Sequence, residues 1–202
     1  MIEIIKKKCG DKIKLNDKVW DFLEFIMYLL VAFAAAYLIV RFVGQRTVVD
    51  GDSMNNTLTD GDNIIVEKLS YTFGNVERHD IIVFPYYDEA IGKEVYYIKR
   101  VIGMPGETIQ IEDGVIWLVD EASGERTVLP DEYGYYYDGK PMKGYLASEP
   151  IQIPEGYYFV MGDNRNRSKD SRQIGLIKED DILGKAWLRF YPFDEFGLIN
   201  HR

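Results

Sequence analysis

Residues 25–40, FIMYLLVAFAAAYLIV, are sixteen consecutive positions without a charge, an Asn, a Gln, a Gly or a Pro. Such a run offers no polar face to a soluble fold. Extended to Phe22 and Val43, with Glu24 and Arg41 reaching the interfaces, it is long enough for the ~30 Å hydrocarbon core of a bilayer. Ahead of it, residues 1–18 hold six lysines against three acids. That bias predicts a cytoplasmic segment over 1–21, a transmembrane helix over 22–43, and a chain that lies outside the membrane from Gly44 onward. A cleavable secretory signal would have a shorter apolar region followed by a small-x-small site. Ala32 and Ala34 lie too deep in the run to provide one.

Residues 44–202 carry 17 Lys/Arg and 28 Asp/Glu, a net charge of −11, so nucleic acid is not expected as a partner. The single cysteine, Cys9, precedes the apolar run, which leaves no disulfide framework and no thiolate zinc site. Helix signals nearly vanish after the anchor. Short runs rich in Val, Ile, Tyr and Phe (NIIVEKL, DIIVFPYY, EVYYIKRVIG, GYYFVMGDN, ILGKAWLRFYP) alternate with Gly, Asp, Asn and Pro turns, which predicts a mainly β fold of antiparallel strands, as a barrel or as packed sheets. TIQIE-DG-VIWLV reads as a hairpin, because Asp113-Gly114 can take the positive φ angles of a type I′ turn. The polar, Tyr-rich stretch from Glu121 to Pro154 reads as a decoration. The expected organisation is a β core of 44–106 and 155–202 with a cap inserted at 107–154.

Three segments carry candidate chemistry. The first, GDSMNNTL, places Ser53 in a small-residue turn. A serine needs a base to become a nucleophile, and the two histidines are poorly suited: His201 is penultimate, and His79 begins a strand, where a polar structural role is expected. The Asp/Asn-rich surroundings do not form a calcium loop. From Asp50, position five would be Met54 and position six Asn55; from Asp60, position five would be Ile64. No metal and no other cofactor is expected. In the second segment, YYIKRVIGMPGE, Lys99 and Arg100 stand side by side on a strand. Alternation puts Lys99 with Val95, Tyr97 and Val101, and Arg100 with Tyr96, Ile98 and Ile102. Both faces are apolar, so alternation leaves open which charge points inward. Arginine stays protonated, whereas a desolvated lysine can lose its proton, so only Lys99 could be a base. Alternatively its stem covers the sheet and its ammonium reaches water. The third segment, GDNRNRSKDSR from Gly162 to Arg172, reads as a solvated loop or as a scaffold of Asp–Arg pairs.

Taken together, these blocks resemble the bacterial type I signal peptidases, membrane-anchored serine proteases. SMNNTL resembles their S-M-x-P-T-L, and RHDIIVF at Arg78–Phe84 resembles R-G-D-I-V-V-F. KRVIGMPGE from Lys99 resembles K-R-V-I-G-x-P-G-D, and Gly162–Arg172 matches G-D-N-R-x-x-S-x-D-S-R at every specified position. Asn56 stands where the family has proline, and Glu107 where it has Asp.

The resemblance implies a Ser-Lys dyad, with Ser53 attacking and Lys99 as general base. It also implies that Ser168 orients the lysine and that Asp170 and Arg172 buttress the site. The amide of Ser53 is the implied oxyanion donor. Gly51 stands where some members carry a second, hydroxyl donor, so any second donor must be a backbone amide, that of Gly51 among them, or water. Asp52 and Met54 are expected to contact substrate. For Lys99 to act near neutral pH, its pKa must fall from about 10.4 to about 7–8, a differential cost of roughly 3–5 kcal/mol. The implied partners are membrane lipid and secreted preproteins, cut after a small-x-small sequence on the outer face of the cytoplasmic membrane. A self-cleaving Ser-Lys regulator and a catalytically inactive peptide-binding paralogue are the competing readings.

Overall fold

In a computed structural model of the 202-residue chain, residues 17–38, 44–140, 142 and 149–200 are described. Cys9, His201, most of the lysine-rich segment and the C-terminal end of the expected membrane span lie outside them. The chain divides into two units, Met1–Val43 and Gly44–Arg202.

The first unit contributes helix α1, Asp17–Leu38. At 1.5 Å per residue it is about 33 Å long, and Lys18–Leu38 is long and apolar enough to cross a membrane. Its large side chains, among them Phe22, Leu30 and Phe33, are exposed. The helix begins five residues before the expected start at 22.

The second unit is mainly antiparallel β-sheet. Its strands are β1 (Gly44–Val48), β2 (Asn63–Glu67), β3 (Ile81–Asp88), β4 (Lys93–Gly103), β5 (Thr108–Glu112), β6 (Val115–Val119), β7 (Arg126–Leu129), β8 (Ile151–Gln152), β9 (Tyr157–Met161), β10 (Ile177–Lys178), β11 (Gly184–Tyr191) and β12 (Gly197–Leu198). Two short helices, α2 (Leu69–Phe73) and α3 (Ser171–Ile174), follow β2 and β9. The larger sheet runs β1-β2-β11-β3-β4-β9-β10, with β12 added to β11. Among the described residues its two ends, β1 and β10, do not pair with each other, so the sheet is open. Between the adjacent strands β4 and β9 the chain makes a second sheet, β7-β6-β5-β8.

The β5–β6 hairpin forms as the sequence predicts. Asp113 and Gly114 have φ of 51° and 80°, and Glu112 pairs with Val115 across the turn. β4 is the strand whose sequence showed no alternation, and its burial explains why: Ile98 to Gly103 are all buried. Ile98 packs into one apolar cluster with Val83, Met54 and Ala186; Val101 packs into another with Ile82, Phe84 and Val160; Ile102 packs into a third with Ile109, Ile153 and Phe159. A strand with core on both faces reads as a continuous apolar run, and any charge it carries goes inside.

Candidate active site

Ser53 lies in the turn that follows β1, and Lys99 lies on β4, 46 positions away in sequence. The fold brings them together: Lys99 Nζ is 2.9 Å from Ser53 Oγ and 2.8 Å from its neighbour's carbonyl oxygen, Ile98 O. The amine also sits 4.9 Å from the centre of the Tyr97 ring. Lys99 is 3% exposed. Burial pulls its pKa down to about 8, against the opposing pull of Asp170 and Asp163. Both of those carboxylates are engaged by arginines. Lys99 itself forms no ion pair among the described residues. A desolvated amine with no carboxylate partner, within hydrogen-bonding distance of a hydroxyl, can take that hydroxyl's proton.

The turn itself is shaped by Gly51, whose φ of +91° is a conformation that side chains rarely adopt. The Gly51 amide donates to Asp60 Oδ1 at 2.8 Å. It is therefore not available as the second oxyanion donor that the sequence left to a backbone amide. The Ser53 amide makes no hydrogen bond among the described residues. Met54, expected at the substrate surface, is a correction of another kind: it is 1% exposed and its side chain fills the core beside Ile98. Asp52 is exposed at the rim.

Loop 162–172 closes over the turn. Gly162 allows this, since a Cβ there would stand 2.2 Å from Ser168 Oγ and 2.4 Å from Ser53 O. Ser168 is buried beside the nucleophile's backbone, but its hydroxyl makes no hydrogen bond, so the bond to Lys99 implied by the family pattern is not formed. Asp170 and Arg172 pair through two contacts, Nε to Oδ1 at 2.8 Å and Nη2 to Oδ2 at 2.7 Å. Asp170 also caps α3 by accepting from the Arg172 amide, and it accepts from Gly162 N at 3.0 Å. The pair thus ties the loop's two ends together.

Other buried charges were not assigned roles from the sequence. Arg100, on the opposite face of β4 from Lys99, donates to both oxygens of Asp163 at 2.9 and 2.7 Å and to His79 O at 2.8 Å. Its guanidinium stacks 3.8 Å from the centre of the Tyr133 ring. Arg165 pairs with Asp131 from the inserted segment. Arg100 could have been found by asking what a permanently charged side chain does on a strand with two apolar faces; Asp131 carried no local signal. His79 has φ 73° where the family block has glycine, and its carbonyl serves Arg100, in keeping with a structural role.

A cleft of about 460 Å³ passes the Ser53–Lys99 pair, lined by Thr47–Met54 on one side and Val95–Lys99 on the other, with Arg167 and Lys169 at its rim. Each wall presents a strand edge. Among the described residues β1 pairs with β2 alone, and β4 pairs with β3 alone until β9 joins it at Arg100. A larger cavity, about 670 Å³, lies on the smaller sheet between Glu107 and Thr127 and includes neither Ser53 nor Lys99.

Comparison with known proteins is consistent across the chain's length. The family profile for signal peptidase, peptidase S26, matches residues 22–191. Signal peptidase IB of Staphylococcus aureus is 35% identical over 182 residues, covering 87% of this chain and 93% of that protein. Signal peptidase I of Bacillus licheniformis is 34% identical over 183 residues, 90% of this chain and 95% of that protein. A crystal structure of a signal peptidase I from Enterococcus faecalis V583 is 31% identical and covers 55% of this chain and 96% of its own, with a TM-score of 0.41.

Proposed function

The chain belongs to the signal peptidase family and is a peptidase that removes signal peptides; we propose that it does so with Ser53 as nucleophile and Lys99 as general base. The observation that carries this reading is the 2.9 Å contact between Lys99 Nζ and Ser53 Oγ in a pocket that strips the amine of water. With a pKa of about 8, about a tenth of Lys99 is neutral at pH 7, against about 0.03% for an ordinary lysine. That fraction suffices for a base whose pKa lies near the working pH.

The steps follow from that geometry. Neutral Lys99 takes the Ser53 proton as Oγ attacks the scissile carbonyl carbon. The oxyanion of the tetrahedral intermediate accepts from the Ser53 amide, which makes no hydrogen bond among the described residues. Collapse breaks the C–N bond, and the Lys99 ammonium gives its proton to the leaving amine, the new N-terminus of the mature protein. Lys99 then deprotonates a water that attacks the acyl-serine ester; the signal peptide leaves with a free carboxylate and Ser53 recovers its proton.

Substrate enters as an extended strand between the edges of β1 and β4, where main-chain hydrogen bonds give affinity and shallow alternate pockets admit only small side chains. That arrangement accounts for cleavage after small-x-small. The apolar helix α1 keeps enzyme and preprotein on one membrane, which raises their effective concentration. The excess of lysine ahead of the apolar run supports an orientation with residues 44–202 on the outer face of the cytoplasmic membrane.

The test is preprotein cleavage by the full chain in detergent. The parent cuts at the signal junction, while Ser53→Ala reduces cleavage at least about 10³-fold. Retained cleavage in Ser53→Ala would overturn the assignment.

A further inference from the structure

Within the turn Asn55 N donates to Asp52 O at 3.2 Å, and the backbone around Ser53 is held further by one residue of loop 162–172. Asn164 N donates to Ser53 O at 3.0 Å, and Asn164 Nδ2 donates to Asp52 O at 3.1 Å. The Asp52 carbonyl and the Ser53 N–H belong to one planar peptide unit. Fixing that carbonyl therefore fixes the direction of the oxyanion donor, and fixing the next one sets the plane from which Oγ departs toward Lys99.

Asn164 is itself held by the inserted segment. Tyr135 N donates to Asp163 O at 2.7 Å, and Arg165 N donates to Tyr135 O at 2.9 Å, so Tyr135 brackets Asn164 from both neighbours. The Arg165 side chain is fully buried. It donates to Gly162 O at 2.6 Å through Nη1 and to the Asp131 carboxylate through Nη2 and, at 3.1 Å, through Nε. The Tyr136 hydroxyl donates to the same carboxylate at 2.6 Å. The next carboxylate, Asp163, lies 3.9 Å from Arg165 and is already engaged by Arg100. Asp131 is thus the carboxylate that pairs with the Arg165 guanidinium, while the Arg165 carbonyl accepts from Arg172 Nη2 at 2.7 Å; neither Asp131 nor Tyr136 lines the cleft.

We propose that Asp131 is a positioning residue for the nucleophile. Through Arg165 and the backbone of 162–165, it sets the orientation of the Ser53 amide and hydroxyl. The inserted segment Asp131–Tyr136 is then part of the catalytic framework and not a decoration. This inference rests on Ser53 being the nucleophile. It predicts loss in the chemical step with no loss in substrate binding, because the two strand edges that flank the cleft, on β1 and β4, are held by β2 and β3.

The experiment measures kcat and KM separately for full-length Asp131→Asn and Asp131→Glu in detergent, beside Ser53→Ala and a control, Glu112→Gln. The control breaks the exposed Arg126–Glu112 pair on the smaller sheet. Asp131→Asn is expected to lower kcat about tenfold with KM within about twofold, since small displacements of reacting groups are costly. Asp131→Glu restores the charge and recovers kcat to within about threefold, and Glu112→Gln stays within about twofold of the parent. If Asp131→Asn does not fold, Asp131→Asn with Arg165→Met removes the stranded charge and carries the same expectation. Parental kcat in the folded variant, a loss confined to KM, or no recovery in Asp131→Glu would each overturn the positioning role. Activity in Ser53→Ala would instead overturn the nucleophile assignment on which it rests.

Discussion

Two positive side chains stand next to each other on β4 and face opposite sides of the sheet. Behind Arg100 is an ionic layer: a carboxylate held through two oxygens, a carbonyl, the Thr57 hydroxyl and an aromatic face. Behind Lys99 are Tyr97, a carbonyl and the Ser53 hydroxyl, with no carboxylate in contact. Both are almost completely buried. The difference lies in what burial does to each. Guanidinium cannot give up its proton, so a buried one must be compensated. An amine can, so leaving it uncompensated moves its pKa instead. The two carboxylates that pull the other way, Asp170 and Asp163, are each paired with an arginine. The carboxylate–arginine pairs thereby supply architecture around the site while burial still keeps the pKa of the base low.

The largest effect expected from breaking this contrast comes at Lys99. Lys99→Arg and Lys99→Met both remove the base and should each lower cleavage by at least about 10³-fold. Their stabilities should part. Arginine puts a permanent uncompensated charge in the pocket and lowers Tm, whereas methionine fills similar volume without charge. The sign for the parent follows from its depressed pKa. With 10.5 unfolded and about 8 folded, the folded state carries the full cost of the charged amine below about pH 8, about 3 kcal/mol. That cost shrinks as pH rises through 8 and is gone above about pH 10.5. Lys99→Met should therefore melt higher than the parent at pH 7 and equal to it near pH 10.5, by calorimetry in detergent. The same value sets the acid limb of kcat/KM for the parent, which should rise about tenfold per pH unit below about 8. A Lys99→Met variant less stable than the parent at pH 7, or an acid limb below pH 6, would remove the contrast.

Second in size is the ionic layer. Asp163→Ala leaves Arg100 buried with no carboxylate, and breaking such a pair costs about 3–5 kcal/mol. For a unit of this size that corresponds to a fall in Tm of roughly 6–20 °C. A fall of less than about 3 °C would mean that Arg100 finds water or another partner and that the layer is not needed to bury it.

The sequence made parts of this contrast legible and concealed others, for identifiable reasons. The apolar run, the Asp113-Gly114 turn and the blocks around Ser53, Lys99 and Gly162–Arg172 are local signals, each contained in a dozen residues or so. The choice between Lys99 and Arg100 as the inward charge was undecidable because β4 has core on both sides, and in fact both are inside. Met54 looked like a substrate contact by adjacency to Ser53, but in a turn the next side chain can point the opposite way, here into the core. Gly51 looked available as a donor until Asp60, nine residues on, took its amide. Asp131 and Tyr133 were invisible because their partners, Arg165 and Arg100, are 34 and 33 positions away and no spacing rule links them.

The smallest expected effect tests whether the ionic layer supports the fold or also reaches the chemistry. Thr57 sits in the nucleophile's own turn and is the layer's link to it. Its hydroxyl donates to Asp163 Oδ2 at 2.6 Å and accepts from Arg100 Nη2 at 3.3 Å. Thr57→Val keeps the shape and removes both bonds, yet Arg100 and Asp163 still hold each other through two contacts. The short bond to Asp163 dominates the long 3.3 Å one from Arg100, so the cost should be close to that of one hydrogen bond to a charged group, about 1.5–3 kcal/mol, or roughly 3–12 °C in Tm. The Ser53 carbonyl remains bound by Asn164, so the turn keeps its second tether and kcat should change by less than about threefold. A tenfold or larger fall in kcat with a small change in Tm would mean that the two sides of β4 are coupled through Thr57, and that the layer behind Arg100 helps aim the hydroxyl that Lys99 deprotonates.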